Sequence, residues 1–158
     1  QPALQSYWLA IHVTAAIIAS GIFMIPGVAS IFYLFRTAHE RNPEKFARFA
    51  PKLPPADVLD RVAYRATVLA FPLFTFGVLC GAIWAESAWG RFWGWDPKET
   101  TAFIAWVVYA AYLHSRHTAG WRGTRAAVIN ILGFAVMVFN LFFINLVTTG
   151  LHSYAGVG

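Results

Sequence analysis

The sequence predicts an all-α integral membrane protein: four transmembrane helices, with an external Trp-rich loop between the second and third. Three observations lead there. Of 158 residues, 58% are hydrophobic and 17% aromatic, only 12% are charged, and mean hydropathy is +0.55; a soluble domain carries about a quarter charged residues. The Asp, Glu, Lys and Arg residues are confined to short segments between long apolar stretches. One of those segments, Trp89–Thr100 (WGRFWGWDPKET), holds four aromatics and four charges in twelve residues. The length suits one domain, residues 1–158.

The first expected span is 7–35. Residues 1–35 contain no Asp, Glu, Lys or Arg, and a span needs about 20 apolar residues. Pro26-Gly27 marks a candidate kink. Residues 36–65 form a polar connection with seven basic and four acidic residues, broken at Asn42-Pro43 and Pro54-Pro55. Pro43–Phe49 reads as a short surface helix with Phe46 and Phe49 turned to lipid.

The second span is expected at 66–85, after which Glu86 opens the Trp-rich loop. Asp96-Pro97-Lys98-Glu99 then reads as a helix start. Asp96 is the N-cap, Pro97 takes the first helical position, and Glu99 completes a capping box. The third span runs over 97–115. Residues 116–125 form a second basic connection, and the fourth span covers 126–148 within a stretch that lacks formal charge to its end.

Four spans place both chain ends and the Trp loop on one side. The two basic connections hold ten of the twelve Lys and Arg residues and lie on the other side. Basic loops stay cytoplasmic, so the Trp loop and the chain ends are expected outside. The net charge of +5 is therefore a topology signal rather than a nucleic-acid signal. The single cysteine, Cys80, lies in an apolar run and excludes both an internal disulfide and a CxxC redox motif. The first residues carry no signal-peptide pattern, and the opening at Gln1 without Met points to a processed or excised part of a longer protein.

Depth sorts the histidines. His12 lies 23 residues before Phe35, roughly 34 Å at helical rise, near the outer surface. His152 lies 26 residues past Ala126, beyond a core of about 30 Å, also outside. His114 lies 18 residues after Asp96, roughly 27 Å down the third span towards the cytoplasmic side. His39 and His117 fall in the basic connections and read as solvated side chains. Alone, either His12 or His152 fits an interfacial hydrogen-bonding role better than a ligand role. As a pair beside a Trp-rich loop they fit the two axial positions of a haem. Trp89, Trp93 and Trp95 suit a porphyrin edge, and Arg91 and Lys98 suit its propionates. Zinc wants three or four ligands, which this face lacks. Asp96 and Glu99 also make a carboxylate pair of the kind used in acid/base work, but the capping box explains them more simply. A plain interfacial Trp belt is the bland alternative for the loop.

The stretch WGRFWGWDPKET resembles the "WWD" motif of haem-handling membrane proteins of cytochrome c maturation. Together with YLHSR, GWRG and GLHSYA it resembles the CcsA/ResC family of the System II cytochrome c synthetase, called CcsB in some bacteria. The likeness is densest over 89–155 and extends through His12 to nearly the whole chain. Phe92 stands where many relatives have Tyr.

The resemblance implies a cargo of haem b held transiently at the outer surface, with His12 and His152 as axial ligands around Trp89, Trp93, Trp95 and a loop fixed by Asp96. His114 matches a transmembrane histidine that binds haem nearer the cytoplasm, its partner ligand supplied by a companion CcsB/ResB-type subunit. The implied function is haem transport across the membrane and presentation to apocytochrome c, whose CxxCH thiols form thioether bonds to the haem vinyls. This chain would be one component of a holocytochrome c synthetase. It would sit in a bacterial plasma membrane, or in a thylakoid membrane if plastid-encoded. Relatives usually carry further N-terminal helices, which points to a core domain. The alternatives are a bis-histidine cytochrome b-type electron-transfer subunit and a structural membrane anchor.

Overall fold

The computed structural model describes residues 7–144, and these are all helical or irregular, with no strand. Four long helices follow one another: α1 (Tyr7–Arg41), α2 (Ala56–Trp89), α3 (Pro97–His114) and α4 (Thr124–Val138). A π-helical turn, Ser115–Ala119, continues α3, and another, Phe139–Ile144, continues α4. Three helices are long and apolar enough to cross a membrane: α1, α2 and Thr124–Phe142. The third expected span, α3, is helical over 18 residues but opens with Lys98 and Glu99 and does not join that set.

The helices share one core. Ala19 and Phe23 of α1, Ala70 and Phe74 of α2, Ala105 and Tyr109 of α3, and Met137 of α4 pack together, buried. The Phe23 ring stacks on Tyr109 at 3.9 Å and meets Phe74 edge-on at 5.7 Å. Two polar pairs lie within this apolar packing. Asn130 Nδ2 donates to Thr67 Oγ1 (2.9 Å), and Trp106 Nε1 donates to Thr75 Oγ1 (2.9 Å). Such bonds join helices where water offers no alternative partner.

Several boundaries differ from expectation. Helix α2 starts ten residues before the expected 66 and ends four after the expected 85. An apolar window finds the part suited to lipid, whereas the hydrogen-bond ladder continues through charged turns, here with the Asp57–Arg61 pair at 3.4 Å. Glu86 and Trp89 consequently belong to helix, not loop. Helix α1 runs unbroken through Pro26. Gly27 serves packing there: the ring of Phe134 lies where a Cβ would stand.

Pro43–Phe49 is a run of turns, not a surface helix, and is followed by one 3-10 turn at Ala50–Lys52. Phe46 adopts φ 56. Its ring and that of Phe49 pack edge-on against Phe35, and Arg36 Nη1 donates to Ala50 O at 3.0 Å. These contacts fold the segment back onto the end of α1, which a straight helix would prevent. The fourth expected span reaches 148, beyond the described residues.

Both basic connections meet at one end of the bundle. Arg116 forms a two-pronged ion pair with Asp60 (2.7 and 3.1 Å), and Tyr64 Oη bonds His117 Nε2 (2.9 Å). Burial disfavours the Arg116 charge, but the Asp60 bonds and neighbouring groups outweigh it and hold the guanidinium above its ordinary pKa. The Trp-rich segment lies at the other end of α2 and α3.

Candidate functional site

The site begins with the way α2 stops. Gly90 takes φ 76 and donates its N–H to Glu86 O, a left-handed helix ending that glycine adopts without a Cβ penalty. The chain is then irregular over 90–96 until Asp96 starts α3. The expected capping box is present in full. Asp96 Oδ1 accepts from Glu99 N (2.8 Å), and Glu99 Oε1 accepts from Asp96 N (3.3 Å).

Glu99 does more than close the box. Its carboxylate, 6% exposed, also accepts from Gly94 N (2.8 Å) and pairs with Arg91 Nη1 (3.3 Å). The Arg91 guanidinium in turn lies 5.8 Å from the centroid of Trp89. One buried acid thus ties down the first half of the loop as well as the second, because it accepts from Gly94 N, Asp96 N and Arg91 Nη1 together. The sequence pattern marks Glu99 as a cap, with an acid/base pair as the alternative, and gives no sign of the contacts to Gly94 and Arg91.

The aromatic rings divide into two groups. Trp89 packs edge-on against Trp84 (4.8 Å), which is buried and stacks on His12 at 6.0 Å with 15° between the planes. Trp93 meets Trp95 edge-on (5.4 Å), and Trp95 meets Phe103 edge-on (5.6 Å). With Leu79 and Trp106 the latter rings line an apolar groove of about 390 Å³. Trp95 is 60% exposed and holds φ 59, a left-handed conformation uncommon for a bulky residue. Its carbonyl accepts from Thr100 Oγ1 at 3.2 Å.

His12 is half-buried against α2. Its Nδ1 lies 2.7 Å from Gly77 O. A carbonyl only accepts, so Nδ1 carries the proton in this bond. The ring also sits against Gly81, where an added Cβ would stand 2.7 Å from Nδ1 and Cε1. Gly77 and Gly81 therefore seat the imidazole, one with its carbonyl and one with its missing side chain. Their four-residue spacing is the small-xxx-small pattern of close helix packing, a signal available in the sequence.

His12, Phe92, Trp93, Lys98, Glu99 and Asn140 line one cavity of about 100 Å³ between the helices. Lys98 Nζ donates to Asn140 O (3.1 Å), inside the π-helical turn after α4. Two buried polar atoms in these walls, Trp93 Nε1 and Asn140 Oδ1, have no hydrogen-bond partner among the described residues.

The remaining expected residues lie elsewhere. His114, last in α3, is exposed at the basic end, with Nδ1 3.5 Å from Thr118 Oγ1, and takes no part in the His12 cavity. His152 lies outside the described residues. Arg91 and Lys98, expected to face propionates, are engaged by Glu99 and by Asn140 O. Among the described residues no three His, Cys, Asp or Glu side chains converge as a metal site.

Comparison with known proteins places the chain. The family model described as "Cytochrome C assembly protein" matches residues 1–152. The chain is 45% identical over 154 residues to the cytochrome c biogenesis protein CcsA of Chlamydomonas reinhardtii, covering 97% of this chain and 42% of that one. It is 38% identical to CcsA of Guillardia theta (97% and 56%) and 36% identical to CcsA of Synechococcus elongatus (97% and 59%). The chain thus spans roughly half the length of these relatives. This chain belongs to the cytochrome c assembly protein family, with the CcsA proteins as its relatives.

Proposed function

We propose that the chain handles haem b as a transient cargo in cytochrome c maturation. It spans the membrane four times, receives haem from the side of the basic connections, and presents it at the Trp-loop face to apocytochrome c bearing a CxxCH motif. It does so with a CcsB/ResB-type companion subunit. The observation that carries this reading is the meeting of His12 with Trp93, Phe92, Lys98 and Glu99 around one cavity, from segments far apart in sequence. Two polar atoms in its walls, one donor and one acceptor, lack partners, and such groups are matched by a ligand or ordered water.

In this reading His12 Nε2 is the atom that binds iron. The Gly77 carbonyl fixes tautomer and ring plane, as outer-shell acceptors commonly do for ligating histidines. A cavity of about 100 Å³ holds about three waters, so the macrocycle is placed across the cavity mouth, against Trp93 and Trp95, rather than within it. His152 is assigned the opposite axial position. His114 projects outward at the end of α3, which supports a ligand shared with the companion. The chain orients cargo; the thiols that bond the haem vinyls belong to the substrate.

The test uses full-length protein purified with its companion. Replacing His12 and His152 with Ala should abolish the bis-histidine haem absorbance. An unchanged spectrum would refute the ligand assignment. Haem that never passes to added apocytochrome would favour a cytochrome b-type electron-transfer role.

A further inference from the structure

A cavity of about 1040 Å³ lies at the opposite end from the Trp-rich segment, and the haem reading uses none of its walls. It is an open cleft bounded by the end of α1, the first turns of α2 and the turns between α3 and α4. Four arginines line it: Arg61, Arg65, Arg116 and Arg122, with His117 beside them. Three acids line it too, and each is already engaged. Asp60 pairs with Arg116, Asp57 with Arg61, and Glu40 with Arg36. Arg65 and Arg122 therefore have no acidic partner among the described residues. Two guanidinium groups without an acidic partner in one cavity suit an anion, and a guanidinium matches a phosphate through paired N–H donors.

The position specifies the anion. The cavity lies where the apolar stretches of α1 and α2 give way to charge. Towards the middle of the bundle the same helices expose Phe32, Val68 and Leu69. Next to Arg122, the half-exposed Trp121 packs with Arg125 at 5.1 Å, an arrangement suited to the membrane–water interface. We infer that this cavity binds the phosphate headgroup of an anionic phospholipid, held by Arg65 and Arg122, with its chains lying along the exposed apolar side chains of α1 and α2. Basic pockets between spanning helices are known to take such headgroups. The inference is independent of haem and of which membrane face this end occupies.

Native mass spectrometry tests it, on full-length protein released from bilayers of equal phosphatidylglycerol and phosphatidylcholine. Phosphatidylglycerol should be retained in preference. Arg65→Gln/Arg122→Gln should weaken retention by about thirtyfold, the effect of two basic side chains facing anionic lipid. Arg65→Lys/Arg122→Lys, which keeps the charge, should retain most binding and controls for folding. Arg41→Gln/Arg48→Gln removes equal charge outside the cavity and should leave retention unchanged. Equal weakening in that control pair would mean general surface attraction and overturn the site. Release of the lipid by inorganic phosphate would make free phosphate the ligand, and release by haem would make the cargo carboxylates the ligand; either result also overturns it.

Discussion

Gly81 offers a sharp test of how the His12 imidazole is seated. An added Cβ at 81 would stand 2.7 Å from His12 Nδ1 and Cε1 and 3.3 Å from Cγ, about 0.7 Å closer than the short end of ordinary contacts. Because Cγ is near the root of the side chain, a terminal rotation does not relieve the clash. The ring must leave Gly77 O and its stack on Trp84. Overpacking of this kind costs about 1–3 kcal/mol, and the lost hydrogen bond about 1 kcal/mol. Gly→Ala within a helix returns up to about 1 kcal/mol. Gly81→Ala should therefore destabilise by about 1–3 kcal/mol. Gly77 is the built-in control, since a Cβ there would meet Ala15 at 3.4 Å, an ordinary contact. Gly77→Ala should be neutral or slightly stabilising. Thermal unfolding in detergent, followed by helical circular dichroism, measures both. If Gly81→Ala is as stable as Gly77→Ala, the close seating of His12 is wrong. In the haem reading, Gly81→Ala alone should also shift the haem absorbance of the purified complex.

Two other positions give independent checks. Glu99→Gln leaves Arg91 without its acid and turns an amide N–H₂ towards it, so a loss of about 1–3 kcal/mol is expected, with a change in Trp emission from the loosened loop; an unchanged unfolding temperature and spectrum would remove Glu99 from its central role. Thr67→Val leaves Asn130 Nδ2 buried without its acceptor, at a cost of about 1–2 kcal/mol. Thr67→Val/Asn130→Leu should recover most of that loss, and unfolding measurements on the two variants would expose a failure to do so.

What could be read from the sequence was local. Pro43 and Pro54-Pro55 bracket the break between α1 and α2, where the residue before each proline is biased out of helical geometry, although Pro26 sits inside α1 without ending it. Asp96-Pro97-Lys98-Glu99 encodes its capping box in four adjacent residues. The tertiary roles were hidden. That Glu99 also holds Gly94 and Arg91 depends on how 90–96 folds back, which no spacing rule supplies. Trp84 looked like one more apolar residue of a span, yet it links His12 to Trp89. The left-handed turn at Phe46 follows from Phe35, eleven residues upstream, offering a ring to pack on. The π turn at 139–144 has no compositional mark; its carbonyl at Asn140 instead receives the Lys98 ammonium from another helix.

The Lys98–Asn140 bond has a consequence for the shape of the bundle. Helices α1 and α2 pack along most of their length, whereas the α2–α3 interface is thin. Helix α4 closes the bundle instead, packing against α1 about as extensively as against α3. Lys98 and Asn140 stand on the α3–α4 side of the cavity, and His12 with its glycine seat stands on the α1–α2 side. The gap beside His12 is therefore set by how α3 and α4 pack on α1 and α2 rather than by any single side chain.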